Sequence, residues 1–123
     1  MALDISIRPV STKSDLKTFM KLPWKFNSGD PCWVPPVLFD VKNKLSQKHN
    51  HYFEHAEAEY FLAFRGSEPV GRITAQIDYN HDEQWGAGTG HFGFFESEDD
   101  LAVAKALFDA AADWLTGKDR ALM

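Results

Sequence analysis

The stretch Glu59-Tyr-Phe-Leu-Ala-Phe-Arg65, Gly66-Ser-Glu-Pro69, Val70-Gly-Arg-Ile-Thr-Ala-Gln-Ile-Asp-Tyr79 decides the fold. Residues alternate along both arms. Phe61 and Ala63 fall on one side of the first arm, and Tyr60, Leu62 and Phe64 on the other. Both sides are apolar, which predicts a strand over 59–65 covered on both faces. In the second arm Ile73, Ala75, Ile77 and Tyr79 share one face, while Arg72, Thr74, Gln76 and Asp78 share the other. Gly66-Ser-Glu-Pro69 is a turn signal, so the two arms are expected to pair as an antiparallel hairpin.

Working outward, His91–Phe95 reads as another aromatic strand after a polar, Gly-rich connection over Asn80–Gly90. Residues 99–116 read as the longest helix. Leu101, Ala104, Leu107, Phe108, Ala111, Trp114 and Leu115 form its apolar stripe. Lys105, Asp109 and Asp113 lie opposite, and Gly117 is the expected C′ residue. Toward the N-terminus, Ile5–Val10 alternates as a short strand, with Pro9 marking an edge or an end. Thr12 and Asp15 have near-capping-box spacing, so a helix should run from Lys13 to Leu22 or on to Phe26. Asn27–Pro31 is a turn and Trp33-Val-Pro-Pro36 a stiff extended piece. Val37, Leu38, Val41 and Leu45 predict a second short helix, and Gln47–Glu57 a loop. The fold class is α/β (α+β), in the order β-α-α-β-β-β-α: a mostly antiparallel mixed sheet with packed helices.

The chain has 123 residues, 44% apolar and 25% charged, with ten Phe, three Tyr and four Trp. This is globular composition rather than disordered. Lys and Arg number 13 against 18 Asp and Glu, a net charge of −5. The balance is uneven: residues 1–55 carry an excess of positive charge and residues 56–123 of negative. No basic run suggests a phosphate-backbone footprint, so no nucleic-acid partner is expected. Cys32 is the single cysteine, which fits a reducing compartment. No signal-peptide pattern and no apolar run of membrane-spanning length is present. A cytoplasmic location without a membrane partner is the expectation.

Several clusters invite a chemical reading. Gly86-Ala-Gly-Thr-Gly90 could be a phosphate loop, but it leads toward an aromatic strand rather than a helix N-terminus. His49, His51 and His55 with Glu54 and Glu57 are suitable metal ligands by type, yet His49 and His51 fall in an apparent loop, and no metal is expected. Trp24 and Trp33 flank the proline-rich segment and could wall a pocket or simply pack. No nucleophile–base arrangement is identifiable, so the catalytic residues are unassigned.

Ile7-Arg-Pro-Val10, Asp15-Leu16 with Leu22-Pro-Trp24, and Asp30-Pro with Trp33-Val-Pro-Pro36 are joined by Phe53-Glu-His-Ala-Glu-Ala58, Pro69-Val-Gly-Arg-Ile73 and Gly93-Phe-Phe-Glu96 with Asp99-Asp100. Together with the element order, these segments resemble the first half of the GNAT N-acyltransferase fold, in a bacterial branch whose members are usually longer. The resemblance implies transfer of an acyl group from acetyl-CoA or another acyl-CoA to an amine. Trp24, Trp33, Glu54 and His55 become the substrate-binding candidates. In that family the acyl-CoA pyrophosphate lies on a glycine-containing loop before the helix that follows the fourth strand. The matching stretch here, Phe95–Leu101, has no glycine and holds Glu96, Glu98, Asp99 and Asp100. No cofactor-binding residue is carried over, and binding of acyl-CoA by this chain is doubtful on charge. The family's next strand splays from the fourth. Here no strand follows the last helix, so residues 1–123 are expected to be a single GNAT-like domain truncated before it and incomplete for catalysis. The exposed strand edge should then take a second copy or a completing polypeptide. The alternative is a non-catalytic interaction module on a GNAT scaffold.

Overall fold

The computed structural model describes residues 4–121 and 123. Four strands form one sheet in the order β1-β2-β3-β4. They are β1 (Ile5–Pro9), β2 (Ala56–Arg65), β3 (Glu68–Asp78) and β4 (His91–Ser97), and every pairing is antiparallel. The helices are α1 (Lys13–Asn27), α2 (Leu38–Leu45), α3 (Tyr79–Trp85) and α4 (Leu101–Gly117), with a 3₁₀ turn at His51–Glu54. The order anticipated from the sequence is present, with α3 added between β3 and β4.

The hairpin forms as expected, with Phe61 opposite Ile73 and Arg65 opposite Glu68. The two-sided pattern of β2 is real. Phe61 and Ala63 pack with Ile73, Ala75, Ile77 and the α4 residues Val103, Leu107, Ala111 and Leu115. Tyr60 and Leu62 pack with Phe19 of α1 and with Val41 and Leu45 of α2. The sheet is therefore sandwiched between α4 and the α1–α2 pair. Gly71 permits the approach of α4, because a Cβ there would lie 2.7 Å from Leu107 Cδ1.

Three local expectations are corrected. Tyr79 leaves the strand: Asp78 accepts hydrogen bonds from Asn80 N and His81 N and so caps α3. An N-cap acceptor one residue ahead turned an extended reading into a helix. In α4, Leu101 is 85% exposed while Val103 is fully buried. The stripe is centred on 103, 107, 111 and 115, at a strict i+4 spacing. The left-handed cap falls at Asp119, φ 62°, not at Gly117. Asp119 N donates to Thr116 O and Arg120 N to Leu115 O, the two bonds of a Schellman motif.

α1 runs through Pro23. Thr12 caps it by accepting from Asp15 N, and Asp15 in turn accepts from Ser11 N and pairs with Arg8 at 2.9 Å. The Ser11 N–H, outweighing the burial that opposes it, and then Arg8 hold the Asp15 carboxyl below the usual carboxylate range. Pro23 has no N–H to offer Phe19 O four residues back. A side chain from β3 takes that carbonyl instead.

Candidate functional site

That side chain is Arg72. It is 6% exposed. Its Nη1 donates to Phe19 O at 2.7 Å and its Nε to Phe94 O at 2.9 Å. The guanidinium lies over both rings, 5.1 Å from the Phe19 centroid and 5.4 Å from that of Phe94. Among the described residues no carboxylate pairs with it. Burial pulls its pKa down to about 10, opposed by Glu96, so it stays a cation at neutral pH.

Arg72 thus clamps the place where β4 departs from regular pairing. Arg72 faces Glu96 and Thr74 faces Gly93, leaving Phe94 and Phe95 opposite Ile73 alone. This is a β-bulge, and Phe94 adopts φ 50° within it. The bulge breaks the alternation. Phe92 and Phe95 both rest on Phe108 of α4, with centroids 5.0 and 4.8 Å away. Phe94 turns to the other face, 6.3 Å from Phe19.

Beside Phe94 lies a cavity of about 310 Å³. β2 and β3 supply Ala58, Tyr60, Thr74 and Gln76 to it, α2 supplies Lys44 and Leu45, and the 3₁₀ turn and its cap supply Asn50, Tyr52 and Phe53. Tyr60 donates its hydroxyl to Leu45 O at 2.7 Å, and burial pushes its pKa up to about 12. It is a fixed, neutral group. Thr74 Oγ1 donates to Gln76 Oε1 at 2.8 Å. The cavity is an apolar cleft with a few convergent polar groups on its floor, the usual make-up of a small-molecule site.

Of the residues singled out from the sequence, Trp24 and Trp33 do meet, edge to face at 5.4 Å. They sit under the proline-rich segment and do not line this cavity. Glu54 is exposed and bonded to His51 at 3.1 Å. His55 lies 5.5 Å from the Tyr52 ring, one step behind the cavity wall. Among the described residues no three His, Cys, Asp or Glu side chains are grouped to hold a metal. Gly86–Gly90 leads into β4 and into no helix. The sequence reading missed Tyr52, Tyr60 and Phe94 as lining groups. The signal for Thr74 and Gln76 was there, in the polar face of β3 placed beneath apolar residues.

At the start of α4, Asp100 accepts from Ala102 N at 2.9 Å and so occupies the helix N-terminus itself. Arg65 binds both Glu98 and Asp100, the latter at 2.6 Å. One guanidinium thus offsets part of the charge of Glu96, Glu98, Asp99 and Asp100. Asp100 thereby takes an N–H of the helix start that an anion would otherwise use.

No family model matches the chain. It is 45% identical over 118 residues to a bacterial ceramide synthase of Caulobacter vibrioides, covering 95% of this chain and 31% of that protein. It is 41% identical over 109 residues to protein YghO of Escherichia coli, covering 89% of this chain and 28% of that protein. The chain therefore spans about a third of the length of the curated relatives it matches. Among solved structures, a tandem GNAT protein from the clavulanic acid biosynthesis pathway superposes with a TM-score of 0.72 at 15% identity, over 95% of this chain and 34% of that one. An acetyltransferase from Streptococcus agalactiae superposes with a TM-score of 0.61 at 11% identity, over 94% of this chain and 68% of that one. The sheet, its hairpin and the helices that sandwich it give this chain a GNAT-like fold.

Proposed function

We propose that the chain is part of an acyl-CoA-dependent N-acyltransferase, and that its cavity receives the apolar part of a long-chain amine. The observation that carries this reading is the cleft over the β4 bulge, largely apolar in its walls, with polar groups at Tyr52, Tyr60, Thr74, Gln76, Asn50 and Lys44. The name of the Caulobacter relative supports it, since a ceramide is the amide of a long-chain amine. In such a transfer the neutral amine attacks the thioester carbonyl. A C–N bond forms, the C–S bond breaks, the thiolate leaves and the amine nitrogen releases a proton. Trp24, Trp33, Glu54 and His55 remain acceptor-side candidates, and the contact of His55 with Tyr52 supports His55 first among them.

The acyl-CoA is expected to be held by more than these residues. The α4 N-terminus is capped by Asp100, so the 123-residue chain should be inactive alone. The open edge of β4 is where a second copy or a completing polypeptide would add. The second reading, a non-catalytic interaction module, is favoured by that same Asp100 cap. Calorimetry separates the two. The transferase reading predicts that decylamine below its micelle concentration binds the chain while acetyl-CoA does not bind tightly. Absence of amine binding would overturn it in favour of the module. Micromolar acetyl-CoA binding would show that the acidic turn is no barrier.

A further inference from the structure

The second large exposed apolar feature lies far from β4 in sequence. Residues 34–39, Val-Pro-Pro-Val-Leu-Phe, are exposed at every position. Val34 is 83% exposed, Val37 62% and Phe39 70%. The segment is held at both ends: Trp33 meets Trp24 edge to face, and Val41 and Leu45 of α2 are buried against Phe19 and Tyr60. The two prolines stiffen it. It is therefore a fixed, exposed prominence rather than a frayed end.

Its charge surroundings are basic. Lys42 stands one helical turn after Leu38 and Phe39. Lys44 and Lys48 follow, all three exposed, with Asp40 among them and Glu54 beside Lys48. Among the described residues none of these lysines is in an ion pair. The rest of the molecule is acidic enough to bring the whole chain to −5. An anionic surface would accordingly attract this side and repel the other, which orients the molecule.

We infer that Val34–Phe39 and the lysines of α2 form a docking surface for an anionic lipid bilayer. The apolar tips would enter the headgroup boundary and Lys42, Lys44 and Lys48 would meet lipid phosphates. This is attachment, not spanning: no helix among the described residues is long and apolar enough to cross a membrane. Composition led to an expectation of no membrane partner. Only the placement of these side chains outside the core gives the opposite reading. The lysines beside the apolar side chains favour an anionic lipid surface over a protein partner. The inference does not depend on the acyltransferase reading. It would, however, bring the cavity, which shares Lys44 and Leu45 with α2, beside a source of long-chain amines.

The test is flotation of the 123-residue chain with vesicles of phosphatidylcholine alone and of phosphatidylcholine mixed with phosphatidylglycerol. The chain should float with the mixed vesicles and far less with the neutral ones. Val34→Ser combined with Phe39→Ser should lower partitioning at least about tenfold, the effect of losing one buried apolar side chain. Lys42→Glu with Lys44→Glu should abolish the preference for phosphatidylglycerol and the loss of binding at raised salt. All these positions are exposed, so thermal melting should match the parent. The control Phe92→Ser, on β4, should float unchanged. Failure of the parent chain to float with either vesicle overturns the inference. So does flotation of the double serine variant at the parent level. A double serine variant that alters only the sedimentation coefficient would assign the prominence to a second copy instead.

Discussion

The two faces of the sheet are built on different terms. Under α4 the contact is dry: Val103, Leu107, Ala111 and Leu115 meet Ile73, Ala75 and Ile77, and each is at most 1% exposed. Under α1 and α2 the same two strands bury a guanidinium, a phenol and a threonine beside an open cavity. Polar groups placed in a core must be partnered, and here they are, through a carbonyl freed by Pro23, a bulge carbonyl and the end of α2. The difference shows how a four-stranded sheet divides its labour. One face supplies stability, and the other spends some of it on a shaped site.

The largest effect expected from this contrast is on the dry face. Leu107→Ala should cost about 2–5 kcal/mol in urea unfolding, as for other buried leucine truncations, and should leave ligand binding unaltered in the fraction that remains folded. Arg72→Met comes next. It removes the donor to Phe19 O and Phe94 O and should cost about 1–3 kcal/mol. Its distinguishing sign is local: hydrogen exchange should quicken in β4 and the middle of α1 while α4 amides keep their protection. Equal loss across both helices would erase the distinction between the faces.

A smaller effect is pH-dependent. Asp15 titrates below its unfolded value, so its contribution is present above the ordinary carboxylate pKa and is lost as pH falls through the lowered one. Asp15→Asn should be less stable than the parent at neutral pH and show a shallower acid decline in thermal melts. A parent-like acid slope in the variant would place the acid sensitivity elsewhere.

The smallest expected effect concerns the β4 edge. Phe92, Phe94 and Phe95 are each more than one-third exposed on a strand that, among the described residues, has no neighbouring strand on its outer side, which is a template for pairing. Sedimentation should show concentration-dependent self-association. Because Glu96, Glu98, Asp99 and Asp100 lie near the strand end, any dimer should tighten as salt rises. A monomer at every concentration and ionic strength would mean that the edge is protected in another way.

Much of this architecture was legible in the sequence, and the reasons are specific. The alternation of β2 and β3 states which residues face α4 and which face α1, because a strand has one periodicity and few alternatives. The Thr12 cap was equally local. The failures are those where a distant contact decides. Leu101 joins an apolar stripe in the sequence, yet the face that meets the sheet runs through Val103, Leu107, Ala111 and Leu115 and leaves Leu101 in water. Arg72 looked like the polar side of a half-exposed strand; it is buried because Pro23, forty-nine positions earlier, leaves a carbonyl unpaired. The bulge at Phe94 had a signal that went unread, the isolated glycine Gly93 just before it in the strand. The cavity is assembled from five elements, so no spacing could reveal it.

The most direct test of the claim that the α1–α2 face holds the site is an NMR titration of the labelled chain with decylamine below its micelle concentration. Saturable shifts are predicted at Tyr52, Tyr60, Thr74, Gln76 and Phe94, with the Val103–Leu115 resonances unmoved. Shifts confined to the 34–39 prominence, or spread evenly over both faces of the sheet, would contradict it.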